Sequence, residues 1–488
     1  MGSRILFVLI FCGSLFSQTL TLHAQENYQQ WLQKHRKAFQ QFKDKRDKAF
    51  TEFLKQELKK FQAFQGRKWD ETPKPRRIPR AKPLPPRRLP HRQIIKDIPL
   101  PKKVPPPRVS PPGLEEAGPS LEINFFNTNL KIYYDPAFDF SLPEEINKEV
   151  ISTFWAELSQ TNYEDFLKQM NYYREALQLN DWGYGMLLAQ VASALYPKSK
   201  NQQNLFVWFM LQKSGYEAKF GLQDQTVYLL IASDNVLYGT NYFKLDGKNF
   251  YLVDYLEPAK QIKSLFTYEG NYPNANKTTD LYMKHLPNLK PSINTRTVKF
   301  KYENKSYNLS FQYDHSLIEF FQNYPQTDLE VYFATPLSPK SDRSILAALK
   351  PVIQGTSQAE AVNRLLRFVQ TAFDYETDEQ QFGREKFLFA EETLHYPYSD
   401  CEDRSILFAY LVTRLTGLDV IALDFPGHIA TAVHFSEDVK GDYVTYENKK
   451  YVICDPTYIN ANIGMRMPLV KNATPTIIKI NSPRLALQ

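Results

Sequence analysis

Cysteine is scarce in this chain: three residues in 488, at positions 12, 401 and 454. So few thiols exclude the disulfide framework of a small secreted scaffold. Glycine is sparse as well, at 18 residues, and no glycine-rich phosphate loop stands out, which removes the common nucleotide-binding signatures. Long apolar runs are missing beyond the first residues. There Arg4 precedes Ile5-Leu6-Phe7-Val8-Leu9-Ile10-Phe11, and small and polar residues lead to Ala24-Gln25. That run is short for a bilayer span, so residues 1–24 read as a cleaved export signal, with an uncleaved N-terminal anchor as the alternative. Phe11, which is not small, makes Cys12 a poor lipidation site. The expected location is periplasmic, cell-envelope-associated or secreted, and cleavage leaves only Cys401 and Cys454.

Acid is nearly absent from one stretch. Lys74 to Arg108 carries twelve Lys and Arg residues and one acid, Asp97. The formal charge of +7 therefore belongs to a linker and not to a folded recognition surface, and no specific nucleic-acid binding is expected. Pro-Pro-Arg, Pro-Leu-Pro-Pro and Pro-Pro-Pro recur among the bases. Residues 71–120 thus read as a basic Pro-rich linker, extended and without a core, open to polyanions or to an aromatic groove on a partner. Before it, residues 25–70 are predicted to form an exposed amphipathic helix. Its stripe is Leu32, Phe39, Phe42, Phe50, Phe53, Leu54, Leu58, Phe61 and Phe64. The heptads are irregular, so the stripe reads as a weak docking face, with a partner helix or the cell envelope as candidate contacts.

What the chain has in quantity is length and apolar residues, enough for two or three domains. From about Leu121 an α+β pattern begins. Helical periodicity runs from Glu144 to Tyr196 and again over Leu205–Leu211. Strands are expected at Val227–Ile231 and Phe250–Val253. A β-rich connector, residues 291–340, holds a hairpin about Glu303-Asn304-Lys305. Helical pattern resumes over Ser344–Tyr375, and residues 341–488 form the last domain.

Chemistry concentrates between Tyr396 and Asp455. Pro397 argues against a helix running through its segment, Ser399 or Asp400 can cap the helix that follows, and Gly417 ends it. Ile406, Leu407, Tyr410, Leu411 and Leu415 supply its apolar face. Cys401 thus stands at a helix N-terminus, where unpaired N–H groups favour a thiolate and can donate to an oxyanion. Glu402 and Asp403 oppose that thiolate, so an imidazolium has to overcome them. Leu418–Leu423 reads as a strand, Asp424–Gly427 as a turn, and His428 opens the next strand. Two more strands, joined at Glu447-Asn448, end at Asp455-Pro456-Thr457-Tyr458. His434 shares a strand face with His428 and is a rival base. Cys454 should point away from Asp455, so a Cys401–Cys454 disulfide is not expected. Zinc fits poorly, with no second Cys or His at ligand spacing, and neither a metal nor a cofactor is expected. Tyr396 and Tyr398 are candidates to line an acyl pocket or to pack.

The order of a helix-opening Cys, a strand-opening His and a strand-ending Asp-Pro-Thr resembles the transglutaminase-like superfamily of papain-like folds, in its exported bacterial form. The resemblance rests on Cys401-Glu402-Asp403 with Leu407-Phe408, and on Asp455-Pro456-Thr457-Tyr458. It covers about Phe373 to Tyr458. It departs at Ile429-Ala430, where the family places an aromatic. It implies a Cys401, His428, Asp455 triad acting through a thioester on peptide or amide bonds of a protein or peptide substrate. Such an enzyme would be a cysteine hydrolase or an acyltransferase. The alternative is a binding or scaffold protein that keeps the fold without catalysis.

Residues 121–290 parallel that block. Tyr196-Pro197-Lys198-Ser199-Lys200-Asn201 parallels Tyr396 to Cys401, Leu205-Phe206 parallels Leu407-Phe408, and Asp254 stands where Asp455 does. A degenerate second copy is expected there, with Ser199 or Asn201 in place of the nucleophile and Thr226 in place of the base.

Overall fold

The protein is described by a computed structural model covering residues 43–57, 62–67 and 118–480 apart from Ala259, with isolated positions between 34 and 41. The expected export signal, most of the Pro-rich linker and residues 481–488 lie outside the described residues. Among the described residues, no helix is long and apolar enough to cross a membrane.

The first helix, α1, covers residues 43–57, and strand β1 is Gln62–Gln65. The hairpin β2 (Ser120–Phe125) and β3 (Thr128–Tyr133) follows. The stretch expected to be helical holds three helices: α2 (Lys148–Gln160), α3 (Tyr163–Ala176) and α4 (Asp181–Leu195). Side-chain caps at Asn147 and Asn180 start the first and third of them, which is how short polar residues divide a long periodic run. Helix α5 (Lys200–Lys213), capped by Ser199, precedes five strands. These are β4 (Ala218–Gln223), β5 (Thr226–Ala232), β6 (Tyr242–Leu245), β7 (Lys248–Val253) and β8 (Ser264–Thr267).

The hairpin β9 (Ile293–Tyr302) and β10 (Lys305–Asp314) comes next. Helices α6 (His315–Gln322) and α7 (Leu329–Ala334) then take residues expected to be β-rich. Asp314 caps α6, and the alternation that makes β9 and β10 ends there. The hairpin is no free connector: Phe300 packs on Phe368 with ring centroids 5.5 Å apart, and Tyr302 donates to Glu360. Five helices follow: α8 (Pro339–Ile353), α9 (Gln358–Thr371), α10 (Asp378–Phe382), α11 (Ala390–His395) and α12 (Cys401–Thr416). The last strands are β11 (Asp419–Phe425), β12 (His428–His434), β13 (Tyr443–Tyr446), β14 (Lys449–Cys454) and β15 (Thr476–Lys479).

The chain is α+β, with two antiparallel sheets of matching order. One runs β1-β8-β4-β5-β7-β6 and the other β15-β11-β12-β14-β13. Each is two hairpins whose final strand returns beside the first, and each follows a long helix. Two-residue turns with left-handed backbone close the second hairpin of each: Asp246-Gly247 and Glu447-Asn448.

Helix α1 is not the exposed element expected from its polar faces. Phe50 and Leu54 are buried with Lys43 and Asp47. Phe50 lies against Trp155 and Tyr272, at centroid separations of 4.6 and 4.9 Å. The helical residues described end at position 57, and β1 then covers the edge of β8. An uncovered strand edge is a template for unwanted pairing, which gives β1 a physical reason to be there.

Candidate active site

Cys401 is the first residue of α12. Asp400 is its cap residue, and Gly417, at φ 70°, terminates it. The helix lies across β12. The Ile429 N–H faces the Cys401 sulfur, and the Ser405 hydroxyl donates to the Ile429 carbonyl at 3.3 Å. The sulfur is therefore fixed against the peptide that follows His428.

His428 opens β12 after the Pro426-Gly427 turn, and its Nε2 lies 2.9 Å from Asp455 Oδ2. Asp455 follows the end of β14. Its Oδ1 accepts the N–H groups of Thr457 and Tyr458, both at 3.1 Å. The Asp-Pro-Thr-Tyr turn thus uses one carboxylate oxygen to hold its own loop and presents the other to the imidazole. Gln370 on α9 clamps that loop from outside, donating to the carbonyls of Asp455, Tyr458 and Ala461. Nothing in the sequence around Gln370 marks it for this role. Burial pulls the His428 imidazole down, but the Asp455 charge and hydrogen bond, with Glu402 adding to them, leave its pKa raised. The cation that forms on proton transfer is the form this pocket favours.

The rival base is engaged elsewhere. His434 Nδ1 contacts the Lys450 carbonyl at 2.9 Å, and its ring packs on Tyr451. Cys454 is a buried free thiol, as is Cys401. Of the two tyrosines considered for an acyl pocket, Tyr396 accepts a hydrogen bond from Gln322 on its hydroxyl.

The sequence sets the helix N-terminus, which favours a Cys401 thiolate, against the acids that oppose it, and in the structure the opposition prevails: burial, then the charges of Glu402 and Asp400, push the thiol well above its ordinary value. The thiol donates to Glu402 Oε2 at 2.8 Å. In this arrangement Cys401 is a protonated thiol.

The acids beside it form a cluster the sequence did not announce. One oxygen each from Asp378, Asp400 and Asp403 lie within 4.8 Å of one another, all buried. Asp378 comes from α10, outside the motif. Its Oδ2 accepts the Lys386 N–H at 2.8 Å, while Asp403 accepts those of Leu388 and Asp400. Burial first, then the neighbouring Asp403, raises the Asp378 carboxyl to about 9, and burial raises Asp403 to about 7. Arg404 is wholly buried nearby, donating to the Ser399 hydroxyl and to the carbonyls of Gln370 and Phe373. An all-oxygen carboxylate set of this kind suits a hard divalent cation and not zinc, so among the described residues these three are the ones that could hold a metal.

Comparison of the chain with family models, curated proteins and solved structures finds no match.

Proposed function

We propose that the protein is an exported cysteine hydrolase or acyltransferase whose second unit is a papain-like, transglutaminase-type domain. The observation that carries this reading is the buried His428–Asp455 pair at 2.9 Å, set beside the strand peptide that faces Cys401. Asp455 holds Nε2, which leaves Nδ1 to take the proton from sulfur. Cys401 has first to give up its hydrogen bond to Glu402. The thiolate then attacks an acyl carbon of a peptide or side-chain amide. The carbon–nitrogen bond breaks, His428 returns its proton to the departing amine, and a thioester remains. Water releases an acid, whereas an incoming primary amine releases a new amide. Asp455 fixes the tautomer and balances the imidazolium. The Ile429 N–H, which faces the sulfur, and the N–H groups of the first turn of α12 would serve as donors to the developing oxyanion.

The raised thiol pKa and the Glu402 hydrogen bond favour a second reading, in which the unit binds and does not catalyse. A thiol-directed electrophile at neutral pH separates the two. Catalytic competence predicts labelling of Cys401 more than about tenfold faster than Cys454. His428→Ala should slow it by about a hundredfold, in the range that loss of a general base costs. Equal, slow labelling of both cysteines would favour the binding reading.

A further inference from the structure

The first sheet reproduces the site's backbone without its chemistry. Leu229 pairs with Val253, the residue before Asp254, as Thr431 pairs with Cys454, the residue before Asp455. That register sets Thr226 at the place of His428 and Val227 at the place of Ile429. Val227 N–H donates to Asn201 Oδ1 at 2.9 Å, where Ile429 N–H faces Cys401. Asp254 keeps the local arrangement of Asp455: Oδ1 accepts the Leu256 N–H at 3.1 Å, and Oδ2 takes a cation. That cation is Lys200, at 2.7 Å, in place of a histidine. An amide, a hydroxyl and an ammonium cannot supply a nucleophile and its base at neutral pH.

The same aspartate lines a cavity of about 360 Å³ that opens between this unit and the second. Its aromatic wall is pre-formed. Trp182 packs on Tyr255 with ring centroids 4.6 Å apart, and its Nε1 donates to the Asn323 carbonyl. Tyr324 is tied to the Leu281 carbonyl. The lining carries the acids Asp254, Glu257 and Glu385 and one base, Arg384; with Asp254 matched by Lys200, Glu257 and Glu385 still outnumber Arg384. Beyond Tyr238, the acids Asp328, Glu330 and Asp424 help burial to raise that phenol to about 12. Beyond Glu385 lie Asp378 and Asp400, whose carboxyls both feel its charge.

We propose that this cavity binds the ammonium side chain of a lysine-bearing peptide, which makes the first unit a recognition module. The aromatic faces suit the cation and its methylene stem, and the acid surplus sets the sign of the ligand. The proposal stands whether or not Cys401 reacts.

Calorimetry on the full chain with Cys401→Ser, which prevents turnover, tests it. The probes are capped Ala-Lys-Ala, its norleucine counterpart and capped Ala-Glu-Ala. The lysine peptide should bind at least about tenfold tighter than the norleucine peptide, and the glutamate peptide should not bind. Glu257→Gln, at an exposed position, should weaken lysine binding about fivefold, and Glu257→Gln with Glu385→Gln should weaken it further. Equal binding of the lysine and norleucine peptides would overturn the proposal. So would lysine binding that ignores both substitutions but falls on Asp400→Asn, because that places the ligand at the Cys401 cleft. Thiol labelling of Cys401 in the wild-type background should be unchanged by Glu257→Gln, which keeps this result separate from the catalytic question.

Discussion

Asp400, Glu402 and Asp403 are buried at the start of α12 with Asp378 of α10 beside them, and burial raises the pKa of each carboxyl. The sign of the resulting pH dependence follows for Asp378. Its folded pKa is raised to about 9, whereas an unfolded aspartate titrates near 3.9. Between those values the folded state holds a proton that the unfolded state has lost, so stability falls as pH rises from about 4 to about 9. Asp378→Asn is always neutral and can still accept the Lys386 N–H. In thermal melts it should raise the midpoint by at least about 2 °C at pH 8 and change it little at pH 5. A chelator belongs in the buffer, because a cation held by the carboxylates would keep them ionised. An equal shift at both pH values, or a fall at pH 8, would contradict this account. The helix start at Cys401, the strand start at His428 and the strand end before Asp455 were legible in the sequence because each follows a chain signal: a cap, a turn or an Asp-Pro-Thr. Asp378 was not, because its approach to Asp403 depends on how residues 378–388 fold back over α12, which no local periodicity encodes.

Among the elements, α1 is where composition misleads most. Its Lys, Gln and Glu faces read as solvated, yet Asp47 is buried against Lys213, accepting from Lys213 and from the hydroxyls of Tyr272 and Tyr163. The Lys213 side chain is 1% exposed and is ringed by Trp155, Tyr163, Phe209 and Tyr272. Burial lowers its pKa to about 8 even with Asp47 opposing. Asp47→Ala strands that cation and should cost about 3–5 kcal/mol in denaturant unfolding. Adding Lys213→Met should recover most of the loss, since an apolar side chain fills the site without a charge to desolvate. If the double variant is as unstable as Asp47→Ala alone, the helix is held by something other than this pair. Elsewhere the element reading was close, and for a physical reason. The strands of both sheets carry runs of Val, Ile, Leu and aromatics between short turns, whereas α1 shows its partner only through two apolar residues, Phe50 and Leu54, amid charge.

At the scale of the molecule, one apolar core runs through both units. An aromatic seam joins them: Phe126 meets Phe320 at 5.4 Å and Trp182 meets Tyr324 at 6.2 Å, and Phe389 backs Tyr324 from the second unit at 5.4 Å. The lysine-binding cavity proposed above lies on this seam, so a ligand there would touch both units only if they remain docked. The sequence offers a reporter for each half. Trp155, Trp182 and Trp208 belong to the first unit, and no tryptophan follows position 208. Cys454 is fully buried in the second. Tryptophan fluorescence and Cys454 thiol exposure should therefore follow a single denaturant transition with one midpoint, as expected when a shared core couples two units. Phe389→Ala removes the ring that backs Tyr324 and should cost about 3–5 kcal/mol. If the seam is the coupling, that substitution should also pull the two curves apart, with the thiol exposed at lower denaturant. Separate midpoints in the unsubstituted protein would mean that the two units fold alone and that the cavity between them is not a fixed site.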